Sequence, residues 1–248
     1  LPPRLDVDGD AWCLFLDVDG TLLEIAPTPD AVRVDEHLRH LLADVSHALD
    51  GAMALVSGRA IAALDRLFAP RRWPAAGLHG IERRDSTGRL HHHTPVRQDL
   101  DRARAALLHL AARTPGILIE DKGPAIAVHY RAVPKVEPTL RRVLAEVAAG
   151  LAPEYHLLEG KRVFEIKPAT ATKADAVRAF MREPPFAGRR PVYVGDDVTD
   201  VDGFTAVESA GGLSVAVGDR VRAQMQVASP RDVRALLADL SGRHSPTP

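Results

Sequence analysis

The sequence is poor in the residues that would place it outside an ordinary enzyme-sized globular class. Cys13 is its sole cysteine, so no disulfide can form within the chain. It lies in an apolar stretch, where a buried thiol that packs as a small hydrophobe is expected. No apolar run is long enough to span a membrane. The first residues, with Pro2, Pro3 and Arg4 ahead of acidic ones, are not a signal-peptide pattern. The net charge of -1 offers no global attraction to nucleic acid or an anionic membrane. A soluble cytoplasmic monomer without nucleic-acid or membrane partners is therefore expected. Lysine is scarce as well: Lys122, Lys135, Lys161, Lys167 and Lys173 are the only ones, and arginine supplies the remaining positive charge. What is present, 46% hydrophobic and 26% charged residues over 248 positions, suffices for one large domain or a core with a smaller companion.

The stretch Ala11 to Leu23, AWCLFLDVDGTLL, organises the rest. Trp12 to Leu16 is too short and apolar for a typical helix and reads as a buried parallel strand ended by Asp17 and Gly20. Side chains alternate along a strand, so Asp17 and Asp19 point the same way at its C-terminal end. Open α/β sheets bind ligands at that end. The string DVDGT resembles motif I of the haloacid dehalogenase superfamily, phosphotransferases that use the first Asp as nucleophile. A similar string at Asp6 to Asp10 has no apolar strand before it and reads as a polar lead-in. Neither string has the Gly and Glu spacing of a calcium-binding EF-hand loop.

After a loop marked by Pro27 and Pro29, Val34 to Leu49 shows helical spacing with Leu38, Leu41, Leu42 and Val45 on one face. Ala52 to Val56 is a second buried strand, which brings Ser57 to a strand end ahead of a helix from Ala60 to Phe68. Ala75 to Leu78 is a third. The run His91 to His93 cannot converge on one ion from an extended backbone and reads as a solvated hairpin. From Pro95 the rhythm changes to α-β-β-α-β-β: helices Arg97 to Ala112 and Glu137 to Leu151, strands Ile117 to Glu120, Ala125 to Tyr130, Tyr155 to Leu158 and Val163 to Lys167. Alternation then resumes through Lys173 to Met181, Val192 to Val194, the turn GDDVTD at Gly195 to Asp200, Ser214 to Val217 and a last helix from Arg231 to Leu240. The fold class is α/β. A doubly wound, Rossmann-like parallel-sheet hydrolase core is expected from residues 1–81 and 167–248, with an inserted α+β cap domain at 82–166.

Asp17, Asp19, Ser57, Lys173, Asp196, Asp197 and Asp200 thus stand in an order that suits phosphoryl transfer. An aspartate is ionised at neutral pH, so Asp17 needs no base to attack phosphorus. Mg2+ is expected to bridge Asp17, the backbone carbonyl of Asp19, Asp196 and a phosphate oxygen, with Asp197 and Asp200 behind the ligands. Lys173 and Ser57 hold the other phosphate oxygens. Asp19 is the candidate general acid, and then the base that activates water.

Further strings, GLHGIERRD at Gly77, EDKG at Glu120, AVHYR at Ala127, GKRVFEIKP at Gly160 and GDDVTD at Gly195, resemble the trehalose-6-phosphate phosphatase family over about Ala11 to Val217. The resemblance implies Mg2+-dependent hydrolysis of trehalose 6-phosphate, a small-molecule sugar phosphate, to trehalose and phosphate, the last step of trehalose biosynthesis. It also implies an aspartyl-phosphate intermediate and substrate contacts from Ser57, Gly58, Arg59, His79, Gly80, Glu120, Lys122, Arg131 and Glu165. Glu120 and Lys122 share side-chain parity, and antiparallel pairing would put Glu165 on their face. Ala174 and Val201 depart from the family, which usually has Gly after the lysine and an acid after GDDxTD. The alternatives are a phosphatase for another sugar phosphate, such as sucrose phosphate, and a non-catalytic sugar-phosphate sensor.

Overall fold

The structure, a computed structural model, describes residues 11–26, 32–92, 98–169 and 172–243. The lead-in at Asp6 to Asp10, Pro27, Pro29 and His93 lie outside the described residues. In chain order, β1 (Trp12–Leu16), α1 (Glu36–Ala48), β2 (Met53–Val56), α2 (Ile61–Leu67), β3 (Ala75–Gly77), β4 (Glu82–Arg84) and β5 (Leu90–His92) come first. Then follow α3 (Gln98–Arg113), β6 (Leu118–Asp121), β7 (Ile126–His129), α4 (Glu137–Gly150), β8 (Tyr155–Gly160) and β9 (Val163–Pro168). The last are α5 (Lys173–Phe180), β10 (Arg190–Gly195), α6 (Val201–Ser209), β11 (Leu213–Val217), β12 (Met225–Val227) and α7 (Pro230–Arg243). No helix among the described residues is long and apolar enough to cross a membrane.

Two compact units divide the chain, the larger from residues up to His92 and from Thr172 onward, the smaller from those between. The division falls after His92 and before Thr172, not at the 81/82 and 166/167 junctions expected from the sequence. The reason is the hairpin β4–β5, which pairs antiparallel with β3 and extends the sheet of the larger unit. Its polar residues concealed this role. Arg84 is nevertheless buried, because Asp65 takes its fork at 2.6 and 2.8 Å and the Trp73 carbonyl accepts from it as well. At the hairpin turn Asp85 accepts from the N–H groups of Thr87 and Arg89. His91 lies 2.8 Å from the same carboxylate, so this imidazole of the histidine run has a structural partner.

The larger sheet has the order β12-β11-β10-β1-β2-β3-β4-β5, parallel from β12 to β3. From β1 the chain moves to β2 in one direction, and from β10 to β11 in the other. Right-handed crossovers then place α1 and α6 on opposite faces. α7 packs beside α1 and α5 beside α6, which covers both faces and explains the continuous apolar reading of the central strands. The order reverses between β1 and β10, and the crevice at such a switch point is where α/β sheets hold ligands.

Under α5, Phe15 stacks on Phe186 at 5.5 Å and meets Phe180 at 5.9 Å, so half of the six phenylalanines form one cluster. In the smaller unit the sheet β6-β7-β9-β8 is antiparallel throughout. Ile126, Val128, Phe164 and Ile166 project to one face and form a separate core with Leu100 and Leu107 of α3 and Leu140 and Leu144 of α4. Glu120, Ala127, His129 and Glu165 have the opposite parity.

Phe186→Ala should destabilise the larger unit by about 3–5 kcal/mol, since it empties the centre of the ring cluster. Urea unfolding followed by circular dichroism measures this, and a loss below about 1 kcal/mol would mean that the cluster does not carry the packing under α5.

Candidate active site

β1 and β10 are neighbours in register Leu16 to Val194, so Asp17 and Asp196 leave the sheet side by side at the switch point. The Asp17 N–H donates to the Val194 carbonyl at 2.9 Å, which ties the start of the loop to the adjacent strand. Val18 is fully buried, as the alternation requires, and Gly20 turns the chain back with φ +90°. A Cβ on Gly20 would fall 2.2 Å from an Asp196 carboxylate oxygen, so the two acidic loops approach this closely only with glycine there. Thr21, buried beside it, donates to Asp196 Oδ1 at 3.3 Å.

Lys173 enters from the first turn of α5. Thr172 caps that helix through a capping box with Asp175. The ammonium donates to Asp17 Oδ1 at 2.7 Å and to Asp200 Oδ1 at 2.6 Å, with all three side chains buried. Asp200 also accepts from the Tyr193 hydroxyl at 2.8 Å and, through Oδ2, from the N–H groups of Asp196 and Asp197 at 3.1 and 3.0 Å. Both oxygens of Asp200 are thus occupied by protein donors. It holds Lys173 and the β10 loop in place rather than reaching for a ligand. Asp197 caps the same turn and pairs with Arg220 at 2.9 Å.

Burial alone would lower Lys173, but the adjacent charges of Asp17 and Asp200 hold it above its ordinary range, so it stays cationic. Burial raises Asp17 well above the usual carboxylate value, and Asp200 and Asp196 add to this while Lys173 opposes it. Asp196 is pushed up to about 7, first by burial and then by the charges of Asp200 and Asp197. Three carboxylates therefore share one ammonium, and the surplus negative charge is unfavourable at low dielectric. Oxygens of Asp17, Asp196 and Asp200 lie within 4.8 Å of one another. An all-oxygen set with excess negative charge fits a hard divalent cation, and Asp17 and Asp196 are the members with coordination capacity left.

Arg59 reaches Asp19 through Nε at 2.6 Å and Nη2 at 2.7 Å, a bidentate clamp on both carboxylate oxygens. Ser57 is buried at the end of β2, and its hydroxyl accepts the Arg59 N–H at 3.2 Å. Gly58 lies against the His79 ring. Leu78 and His79 have φ +52° and +57°, strained values that the Arg59 and Ser57 carbonyls hold by accepting their N–H groups at 3.0 Å each. Gly80 has φ +107°, and a Cβ there would sit 2.3 Å from the Thr172 carbonyl oxygen. Its visible work is to let this turn press on the cap of the Lys173 helix.

In the smaller unit, Glu120 and Glu165 both stand opposite Ala127, one on each side, and its small side chain leaves the space between them open. Lys122 Nζ donates to Glu165 Oε2 at 2.8 Å, and Glu120 Oε2 lies 2.8 Å from His129 Nε2. Burial would raise Glu120, but the His129 hydrogen bond and the Lys122 charge hold it below its ordinary value. Arg131 is not brought into this group. It sits beyond the end of β7 and donates to the Lys161 carbonyl at 3.5 Å.

Ala174 is buried behind Lys173 and Val201 is exposed at the start of α6, so neither departure displaces a charged group of the cluster. Tyr193, Thr21 and His129 join these networks without standing out in the sequence pattern. Tyr193 carried a weak signal, one of three tyrosines set inside a buried strand three positions before Asp196. Tyr193→Phe should cost about 1.5–3 kcal/mol of stability by removing one donor to a charged acceptor. Asp200→Asn should cost about 3–5 kcal/mol, because an amide cannot accept from all four donors and strands the ammonium. Urea midpoints measure both, and an Asp200→Asn loss no larger than that of Tyr193→Phe would remove Asp200 from the centre of the network.

The model for the family described as trehalose-phosphatase matches residues 15–235. A probable trehalose-phosphate phosphatase of Sinorhizobium fredii is 46% identical over 232 residues, covering 94% of this chain and 87% of that protein. The trehalose-6-phosphate phosphatase of Escherichia coli is 45% identical over 212 residues, covering 84% and 77%. Among solved structures, the C-terminal domain of the Candida albicans trehalose-6-phosphate phosphatase superposes with a TM-score of 0.84 over 98% of both chains at 23% identity, a likeness of fold. The crevice between β1 and β10 thus lies within a match that runs over nearly the whole length of the sequence, and the chain belongs to the trehalose-phosphatase family.

Proposed function

We propose that the chain hydrolyses trehalose 6-phosphate to trehalose and inorganic phosphate through a phosphorylated Asp17. The observation that carries the chemistry is the buried contact of Asp17 with Lys173 beside Asp196. Family membership and the two bacterial relatives support the substrate. Lys173 opposes the upward push of burial on Asp17, and a divalent cation beside it would do the same, so that its free carboxylate oxygen attacks phosphorus, the bond from phosphorus to the sugar oxygen breaks, and Asp19 gives that oxygen a proton. Asp19 then takes a proton from water, which attacks the aspartyl-phosphate and frees Asp17 and phosphate. Both Asp19 oxygens are engaged by Arg59, so this role requires the guanidinium to release one. Arg59 is then available to a phosphate oxygen, together with Lys173 and the Ser57 hydroxyl.

Asp17, Asp196 and the backbone carbonyl of Asp19 are assigned to Mg2+, which when bound screens the phosphate from the attacking carboxylate. Glu120, Lys122 and Glu165 are assigned to the sugar hydroxyls, with the smaller unit as the cap. Carboxylates accept from vicinal hydroxyls and the ammonium donates to oxygen, a set suited to a polyol. Retention of Asp17, Asp19, Lys173 and Asp196 argues against a non-catalytic sensor.

Asp17→Asn should fold normally and lose at least roughly 1,000-fold in kcat, since an amide is no nucleophile. EDTA should abolish phosphate release and Mg2+ restore it. Phosphate release from trehalose 6-phosphate, sucrose 6-phosphate and glucose 6-phosphate, each with and without Mg2+, measures this. Substantial turnover by purified Asp17→Asn would sink the nucleophile assignment, and a preference for sucrose 6-phosphate the substrate.

Glu120→Ala, Lys122→Ala and Glu165→Gln should each lower kcat/KM for trehalose 6-phosphate by about tenfold or more while sparing para-nitrophenyl phosphate. The glutamine avoids stranding the Lys122 ammonium. Equal losses on both substrates would mark a structural role.

A further inference from the structure

The face of the smaller sheet that turns away from α3 and α4 carries one group that these assignments leave without a task. His129 is the last paired residue of β7, and Leu118 of β6 and Val163 of β9 stand directly opposite it on either side. These two apolar neighbours offer the imidazole no side-chain hydrogen bond. Its Nε2 reaches instead to the diagonal residue of β6 and lies 2.8 Å from Glu120 Oε2. Ala127, the residue directly opposite Glu120, is short enough to leave that diagonal open.

The contact engages one carboxylate oxygen only. Oε1 of Glu120 has no hydrogen-bond partner among the described residues, and the side chain is 36% exposed. Burial pushes this carboxyl up, and the His129 hydrogen bond and then the Lys122 charge bring it below its ordinary value, so it stays an ionised acceptor. An ion pair exposed to this degree contributes little to stability. What it fixes is direction. A glutamate side chain turns about several bonds, and with Oε2 tied to the sheet the other oxygen is presented in one orientation. An acceptor ordered before its ligand arrives avoids the cost of being ordered on binding.

We propose, resting on the assignment of Glu120 to the sugar hydroxyls, that His129 is a positioning residue for substrate discrimination: through Oε2 it sets Glu120 so that Oε1 accepts from a hydroxyl of the sugar. His129 itself touches no ligand in this role. It works through the carboxylate, and its effect disappears when that carboxylate is removed.

Steady-state kinetics of the full-length chain with Mg2+ test this on trehalose 6-phosphate and para-nitrophenyl phosphate, for His129→Leu, His129→Gln, Glu120→Ala and the double variant His129→Leu with Glu120→Ala. His129→Leu keeps an apolar body between Leu118 and Val163. It should lower kcat/KM for trehalose 6-phosphate about three- to tenfold, the cost of ordering one side chain on binding, with no matching loss on the smaller substrate. His129→Gln should recover most of that loss, since its amide N–H can donate to the same oxygen. In the Glu120→Ala background His129→Leu should change nothing further. A His129→Leu loss that persists in full beside Glu120→Ala, that glutamine does not recover, or that falls equally on both substrates would overturn the positioning role. Parent kinetics for His129→Leu beside a selective loss for Glu120→Ala would also overturn it and leave the sugar assignment standing. Glu120→Ala without a selective loss would overturn the sugar assignment itself, and the positioning role with it.

Discussion

The ammonium of Lys173 lies between Asp17 and Asp200, and the architecture of the larger unit converges on keeping it there. A charge buried to this degree costs several kcal/mol unless it is paired and hydrogen-bonded. Asp17 meets that need from β1 and Asp200 from the turn after β10, while Lys173 itself arrives on the first turn of α5. Three segments distant in sequence are thereby fixed to one another. Tyr193 and the N–H groups of Asp196 and Asp197 complete Asp200, so that its carboxylate cannot swing toward a bound ion or the substrate. Gly80 sets the height of α5 by allowing the turn after β3 to press on Thr172. The second pair of acids, Asp19 and Asp196, is left facing the crevice.

How much of this was legible in the sequence depends on the kind of signal. Apolar strands buried on both faces announce themselves, and β1, β2 and β10 lie within a residue or two of their expected limits. The acids at strand ends followed from side-chain alternation plus the place where a parallel sheet binds ligands. The hairpin β4–β5 escaped because its strands carry Glu82, Arg83, Arg84, His91 and His92. Their place in the larger sheet depends on partners such as Asp65 and Asp85, which no local pattern reveals. β12 escaped for a different reason: three residues, Met225 to Val227, are too few for any period to show.

Pairings between distant side chains were the least legible. Asp19 and Ser57 were visible as single residues at strand ends, but the clamp of Arg59 on Asp19 exists only once β1 and β2 are adjacent. His129 lay in plain view inside AVHYR. Its partnership with Glu120 depends on the register in which Leu118 faces His129. Arg131, two positions on, has the same parity but lies past the last paired residue of β7, so shared parity did not bring it to the same partners.

The same device recurs in both units. Arg59 is satisfied by Asp19, and Lys122 by Glu165, so neither charge waits bare for a ligand. A substrate that engages these groups must exchange one pairing for another, and only a partner with oxygens and hydroxyls in the right places can do so without leaving a buried charge unmatched. Discrimination then comes less from the strength of any new contact than from the penalty on a poor one, which for unpaired buried polar groups far exceeds that for a misplaced methylene. In the larger unit the pair to be exchanged is Arg59 with Asp19. In the smaller unit it is the pair of Lys122 and Glu165. A ligand that satisfies one exchange alone gains none of the binding energy of the other.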